Sequence, residues 1–159
     1  PNYKQIGPDG DSEEDSSPEV LFAVDQSGSI SKKYVDISMD MLKKMPDDLF
    51  TPHMALWANY CEEYIPGKQC YIGGGTDIHS VYRYADALRK KIGKDIYVVV
   101  YTDGGYGWNM SGIDKDWVND YWFFVGFDRR DRHNILDQGY HGNPVNPDNV
   151  YNLDDLWKS

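Results

Sequence analysis

The stretch Val20-Leu21-Phe22-Ala23-Val24-Asp25-Gln26-Ser27-Gly28-Ser29 decides how this chain is read. Five apolar residues run without alternation, and oxygen-bearing side chains begin at once after them. An unbroken apolar run of that length predicts a strand buried on both faces, as in a parallel sheet covered by helices. Ile96-Tyr97-Val98-Val99-Val100 repeats the pattern and runs into Tyr101-Thr102-Asp103-Gly104-Gly105. A third oxygen-bearing piece, Gly73-Gly74-Gly75-Thr76-Asp77, opens an amphipathic segment. Open α/β sheets take their ligands just beyond the carboxyl ends of their strands, and these pieces are expected there.

Outward from those pieces the chain alternates strand and helix. Ser29 or Ser31 can cap a helix predicted over Lys32 to Met45, with Val35, Met39, Leu42 and Met45 at helical spacing and Pro46 as the stop. Met54 to Tyr60 reads as the second strand. Glu63 to Tyr71, around Pro66-Gly67, predicts a hairpin that supplies a third, antiparallel strand. Asp77 to Ile92 carries Ile78, Val81, Tyr82, Ala85, Leu88 and Ile92 on one helical face, and Gly93 ends it. Asp95 to Tyr101 is the second doubly buried strand. Gly104 to Asn119 reads as a Gly-rich loop with a short helix near Lys115 to Val118. Trp122 to Phe127 is another buried strand. Asp128 to Asn149 reads mostly as loop, with a helical turn near His133 to Asp137. Val150 to Leu153 predicts a last edge strand before a short C-terminal helix. Strands alternating with helices imply right-handed crossovers and a mostly parallel sheet.

The chain has 159 residues, enough for one domain with a real core. Residues 1–18 are acidic and small, without an apolar period, and are expected to be a disordered leader or linker; residues 19–159 form the domain. A formal net charge of -10 repels nucleic-acid phosphates and anionic lipid. No stretch approaches the roughly 20 apolar residues of a membrane span. Neither nucleic acid nor membrane is therefore expected as a partner. Cys61 and Cys70 are too few for a disulfide scaffold and match no zinc spacing. A hairpin turning at Pro66-Gly67 sets Cys61 opposite Ile72 and Cys70 opposite Glu63, so the sulfurs do not oppose each other. Both are read as reduced, which points to the cytoplasm.

The chemistry sits in the loops. In an extended loop, residues i, i+2 and i+4 project to one side, so Asp25, Ser27 and Ser29 aim three oxygens at one point. Thr76 and Asp103 can add two more from neighbouring loops. Carboxylates and hydroxyls without nitrogen or sulfur suit a hard cation, magnesium or manganese. If one carboxylate acts through water, the ion keeps an appetite for a carboxylate brought by a partner. Each piece also has a structural reading: Ser29 as a cap, Thr76 with Asp77 as a cap and acidic first turn, Asp103-Gly104 as an ordinary turn. Together they fall in order at the correct ends of the predicted elements.

Other candidates carry less. His53, His79, His133 and His141 are scattered and never paired at i, i+4. Tyr106 and Trp108 are either partner anchors at the rim of the site or packing over the sheet edge. Arg129-Arg130-Asp131-Arg132 reads as a solvated mixed-charge loop and a secondary contact candidate. Gly73-Gly74-Gly75-Thr76 lacks the lysine of a phosphate-binding loop.

From Val20 to the C-terminus the chain resembles a von Willebrand factor A (vWA) domain with a metal-ion-dependent adhesion site (MIDAS). That pattern is Asp-x-Ser-x-Ser after the first strand, a Thr in a second loop and an Asp after the fourth strand. The resemblance implies a Rossmann-like α/β fold, its mostly parallel central sheet bearing one antiparallel edge strand and helices on both faces. It implies Mg2+ or Mn2+ held by Asp25, Ser27, Ser29, Thr76 and Asp103, with a partner Glu or Asp completing the shell. The Gly-Gly-Gly-Thr-Asp and Thr-Asp-Gly-Gly forms resemble intracellular bacterial and phage vWA-like domains, found in metallopeptidase-like proteins or beside MoxR-type AAA+ ATPases. The chain departs from the pattern in being short between Asp103 and Trp122, where helices are expected to be reduced. The implied function is a non-enzymatic, magnesium-dependent protein-protein interaction module, an adaptor to an AAA+ ATPase. The alternative is a magnesium-dependent phosphohydrolase of haloacid-dehalogenase type, with Asp25 as nucleophile, Thr102 as phosphate ligand and Asp154-Asp155 as distal metal carboxylates. That family expects a second Asp two positions on, and Ser27 stands there; a serine cannot protonate a leaving group at neutral pH. A third reading is a structural subunit without metal.

Overall fold

The first apolar run forms β1 (Glu19–Asp25), which has parallel neighbours on both sides. These are β2 (Thr51–Trp57) and β4 (Tyr97–Thr102). Beyond β4 follow β5 (Trp122–Gly126) and β6 (Val150–Asn152), also parallel. At the other side β3 (Cys61–Glu63) runs antiparallel to β2. The six strands thus lie in the order β3-β2-β1-β4-β5-β6, a mostly parallel sheet with one antiparallel edge strand. The computed structural model from which this is drawn describes residues 17–27, 32–44, 48–65 and 74–158, the side chains of 34, 35 and 156–158 excepted.

Period-two alternation sorts the strand residues onto two covered faces. Leu21, Ala23, Trp57, Val98, Val100 and Phe124 pack beneath α2 (Ile78–Ile92), α3 (Lys115–Tyr121) and α4 (Arg129–Tyr140). Phe22, Val24, Leu56, Tyr101 and Val125 face the opposite way, toward Met39 and Leu42 of α1 (Lys32–Lys43) and Leu153 of α5 (Leu153–Lys158). Burial on both sides is why β1 and β4 read as unbroken apolar runs.

α2 begins and ends where its caps predict. The Asp77 carboxylate accepts from the His79 N–H at 3.0 Å, and Gly93, left-handed at φ 87°, closes the C-terminus by donating to the Arg89 carbonyl. α1 stops at Lys43; Met45 and Pro46 lie outside the described residues, as do Gly28, Ser29, Gly73, Cys70 and residues 1–16 of the expected leader.

Two expectations are corrected. The antiparallel strand is not built around Pro66-Gly67. It is Cys61–Glu63, reached by a turn at Ala58-Asn59-Tyr60 that pairs Trp57 with Cys61, so β2 ends three residues before the expected Tyr60. Pro66-Gly67 itself lies outside the described residues, and Cys61 is a free thiol. The second correction concerns Asp128 to Asn149, which is not mostly loop: α4 fills Arg129–Tyr140. A capping box starts it, with the Asp128 side chain accepting from the Asp131 backbone and the Asp131 side chain accepting in return. Between Asp103 and Trp122 the helical content is one seven-residue helix, α3. Among the described residues no helix is long and apolar enough to cross a membrane.

Candidate metal centre

The strand order turns on β1: the chain first moves from β1 to β2, then returns to the far side of β1 with β4. The crevice between the carboxyl ends of β1 and β4 is therefore the topological switch point, the ordinary ligand position of an open α/β sheet. Asp25 and Asp103 are the residues at that crevice.

Asp25 is the last residue of β1 and is fully buried. The β1–β4 register pairs Val24 with Tyr101, which sets Asp25 beside Thr102. The Thr102 hydroxyl donates to Asp25 Oδ2 at 2.9 Å and accepts from the Gly104 N–H at 3.2 Å. The Ser27 N–H donates to Asp25 Oδ1 at 2.8 Å. Burial pushes the Asp25 carboxyl up to about 6; the Ser27 and Thr102 hydrogen bonds pull the other way, and the charge of Asp103 adds to the rise. Among the described residues its hydrogen-bond partners are neutral, and the charge that acts on it is a like one.

Asp103 follows β4 directly. Its Oδ1 accepts from the Gly105 N–H at 2.9 Å, and its carbonyl accepts from Asn134 Nδ2 at 3.3 Å. Thr76 lies in the loop before α2. That loop is pinned at the same edge of the sheet, because the Asp77 N–H donates to the Ala58 carbonyl at 2.8 Å and Asp77 bridges to Gly107. Capping falls to Asp77, which leaves the Thr76 hydroxyl outside the cap. Asp25, Ser27 and Asp103 thus come together at the ends of β1 and β4, with Thr76 in the loop alongside; Ser29 lies outside the described residues. Among the described residues no three His, Cys, Asp or Glu side chains gather into a metal cluster, so a cation here depends on hydroxyls as well as on two carboxylates.

Thr102 is the member that sequence reading missed in this role. It is fully buried, and its hydroxyl links the two loops. The signal that finds it is register, which a single strand's sequence does not carry.

The other candidates resolve into packing. Tyr106 is buried, its ring stacked 6.4 Å from Phe124, and Trp108 lies 5.7 Å from Trp122. Both therefore line the core under the loop. His53 Nε2 lies 2.7 Å from Glu19 Oε1. Glu19 starts β1, so that pair sits a strand length, roughly 20 Å, from Asp25. His79 stacks on Tyr82. Arg129 to Arg132 form the first turn of α4.

With that geometry in view, one likeness among solved structures is informative. The crystal structure of the ArnB paralog VWA2 from Sulfolobus acidocaldarius superposes with a TM-score of 0.56 at 13% identity, over 87% of this chain and 41% of that one. The fold is vWA-like. At that identity the likeness extends to the fold alone, and this chain spans well under half of the VWA2 structure. No protein-family model and no curated protein matches the sequence.

Proposed function

We propose that the chain is a non-enzymatic, magnesium-dependent protein-interaction module. Asp25, Ser27, Ser29, Thr76 and Asp103 would hold Mg2+ or Mn2+, and a Glu or Asp of a partner would complete the shell. The observation that carries the reading is the state of Asp25. A fully buried carboxyl with neutral hydrogen-bond partners and a second carboxylate beside it is costly to ionise. A divalent cation removes that cost, and the oxygen-only donor set is the one a hard cation selects. Bound metal would supply an electron-poor position for an incoming carboxylate. A MoxR-type AAA+ ATPase is the proposed class of partner machine, and the cytoplasm the proposed location.

The phosphohydrolase reading fits less well. Its phosphate ligand, Thr102, already donates to Asp25. Its distal carboxylates, Asp154 and Asp155, open α5 after β6, three strand spacings from β1, or roughly 14 Å. Isothermal titration of the full chain with Mg2+ and Mn2+ tests the metal, and fluorescence anisotropy of a Glu-containing peptide tests the carboxylate. Saturable heat that vanishes in a folded Asp25→Ala, Ser27→Ala variant, with peptide binding only in the presence of metal, is the expected result. Heat unchanged by that variant, or turnover of a generic aryl phosphate that is lost in Asp25→Ala, would overturn the proposal.

A further inference from the structure

We infer that Gln138 of α4, oriented by Asn143, is a positioning residue for Asp103, and that α4 thereby sets the affinity of the metal centre; the inference rests on the metal reading above. In the loop leaving β4, the carbonyls of Asp103, Gly104 and Tyr106 lie beyond the last strand pairing. All three are taken by side chains of α4. Asn134 Nδ2 donates to the Asp103 carbonyl at 3.3 Å, and Gln138 Nε2 donates to the Gly104 carbonyl at 2.9 Å and the Tyr106 carbonyl at 3.2 Å.

The direction of these bonds is fixed by chemistry. A carbonyl only accepts, so the end of the Gln138 amide facing the loop must be its NH2. Asn143 locks that orientation from behind by donating from Nδ2 to Gln138 Oε1 at 2.6 Å, while its own N–H bonds to the Gln138 carbonyl at 3.1 Å. A one-way chain therefore runs from Asn143 through Gln138 into the loop that carries Asp103.

Backbone contact makes the support stiff. A Cβ added at Gly104, which has φ 86°, would lie 2.7 Å from Asn134 Cβ and 2.9 Å from the Ile135 nitrogen. One added at Gly126, at the end of β5, would lie 2.6 Å from the Arg132 nitrogen. With no side chain at either glycine, α4 rests directly on the ends of β4 and β5. The Gly104 carbonyl and the Gly105 N–H belong to the same peptide unit, and that N–H holds Asp103 Oδ1. Gln138 thus grips one end of a peptide whose other end orients the ligand. Magnesium demands near-ideal octahedral geometry, so a loosened peptide reads out as lost affinity.

The test uses the full chain. Gln138→Met removes both donors at similar length without adding charge. Magnesium affinity is measured by titration calorimetry, and exchange of the Gly105 amide by NMR in EDTA. Gln138→Met should weaken magnesium binding by roughly tenfold, the usual lower bound for losing a group that orients a ligand. It should also speed Gly105 exchange in the metal-free protein with the circular dichroism spectrum unchanged. Wild-type affinity and wild-type Gly105 exchange in folded Gln138→Met would overturn the inference. If Gln138→Met does not fold, Asn143→Ala, outside the helix, carries the same expectations. If the wild type takes up no magnesium, the metal reading has failed on its own, and Gly105 exchange still decides the positioning claim: faster supports it, unchanged refutes it.

Discussion

Asp25 makes the stability of the metal-free protein depend on pH in a definite direction. An unfolded carboxyl titrates near 3.9 and the folded one at about 6, so between those values the native state holds the extra proton. Stability therefore falls as pH rises through that window, and above it the ionised acid costs on the order of 3 kcal/mol. In EDTA at pH 7, Asp25→Asn is expected to melt higher than the wild type, with the gap closing toward pH 4; thermal circular dichroism across that range checks it. Cys61 makes a second prediction at this scale. Burial, aided by the charge of Glu62, pushes its thiol up to about 12. At pH 8 Cys61 therefore carries far less thiolate than an unperturbed thiol near 8.5, which is about a quarter ionised. Iodoacetamide should spare Cys61 in the native protein and label it once guanidinium unfolds the chain, as peptide mass mapping would show.

Helix α4 shows most sharply what local sequence does and does not carry. β1, β4 and α2 are legible because each signal is local: an unbroken apolar run, a cap at Asp77, a stop at Gly93. α4 places only Ile135 fully in the core, and its capping box uses Asp131 where Glu or Gln is usual. Its first turn therefore looks like a charged loop. What holds α4 is tertiary: two glycines that let it touch the sheet ends, and amides that reach a loop some thirty residues earlier in the chain. The turn at Ala58 failed for a related reason, since an apolar alanine buried at a bend reads as more strand. Gly126→Ala drives a methyl into the α4 backbone and should cost about 1–3 kcal/mol, read from the shift in guanidinium midpoint at constant slope. Asp128→Ala, which strips the cap but leaves the contact, should cost about 1 kcal/mol.

At the scale of the whole molecule, the three oxygen-bearing loops were visible in sequence because each sits at the end of an element that is itself easy to see. Their placement at one end of the sheet was expected too; which residues of β1 and β4 face each other there was not, because that depends on strand order and register. Only the return of β4 to the far side of β1 puts Asp25 and Asp103 in one crevice, and only the register between those strands reveals Thr102. Metal binding to such a crevice feeds into global stability by mass action. Magnesium at a hundred times its dissociation constant should add about 2.7 kcal/mol, or roughly 5–11 °C in Tm for a chain of this size. A folded Asp25→Ala variant should show no such rise in a scanning calorimeter.

Among the described residues the outermost strands, β3 and β6, are three residues each, so each presents only about 10 Å of outer backbone. An edge strand so short gives a foreign strand little to pair with, which is one of the ways sheets are kept from ladder-wise self-association.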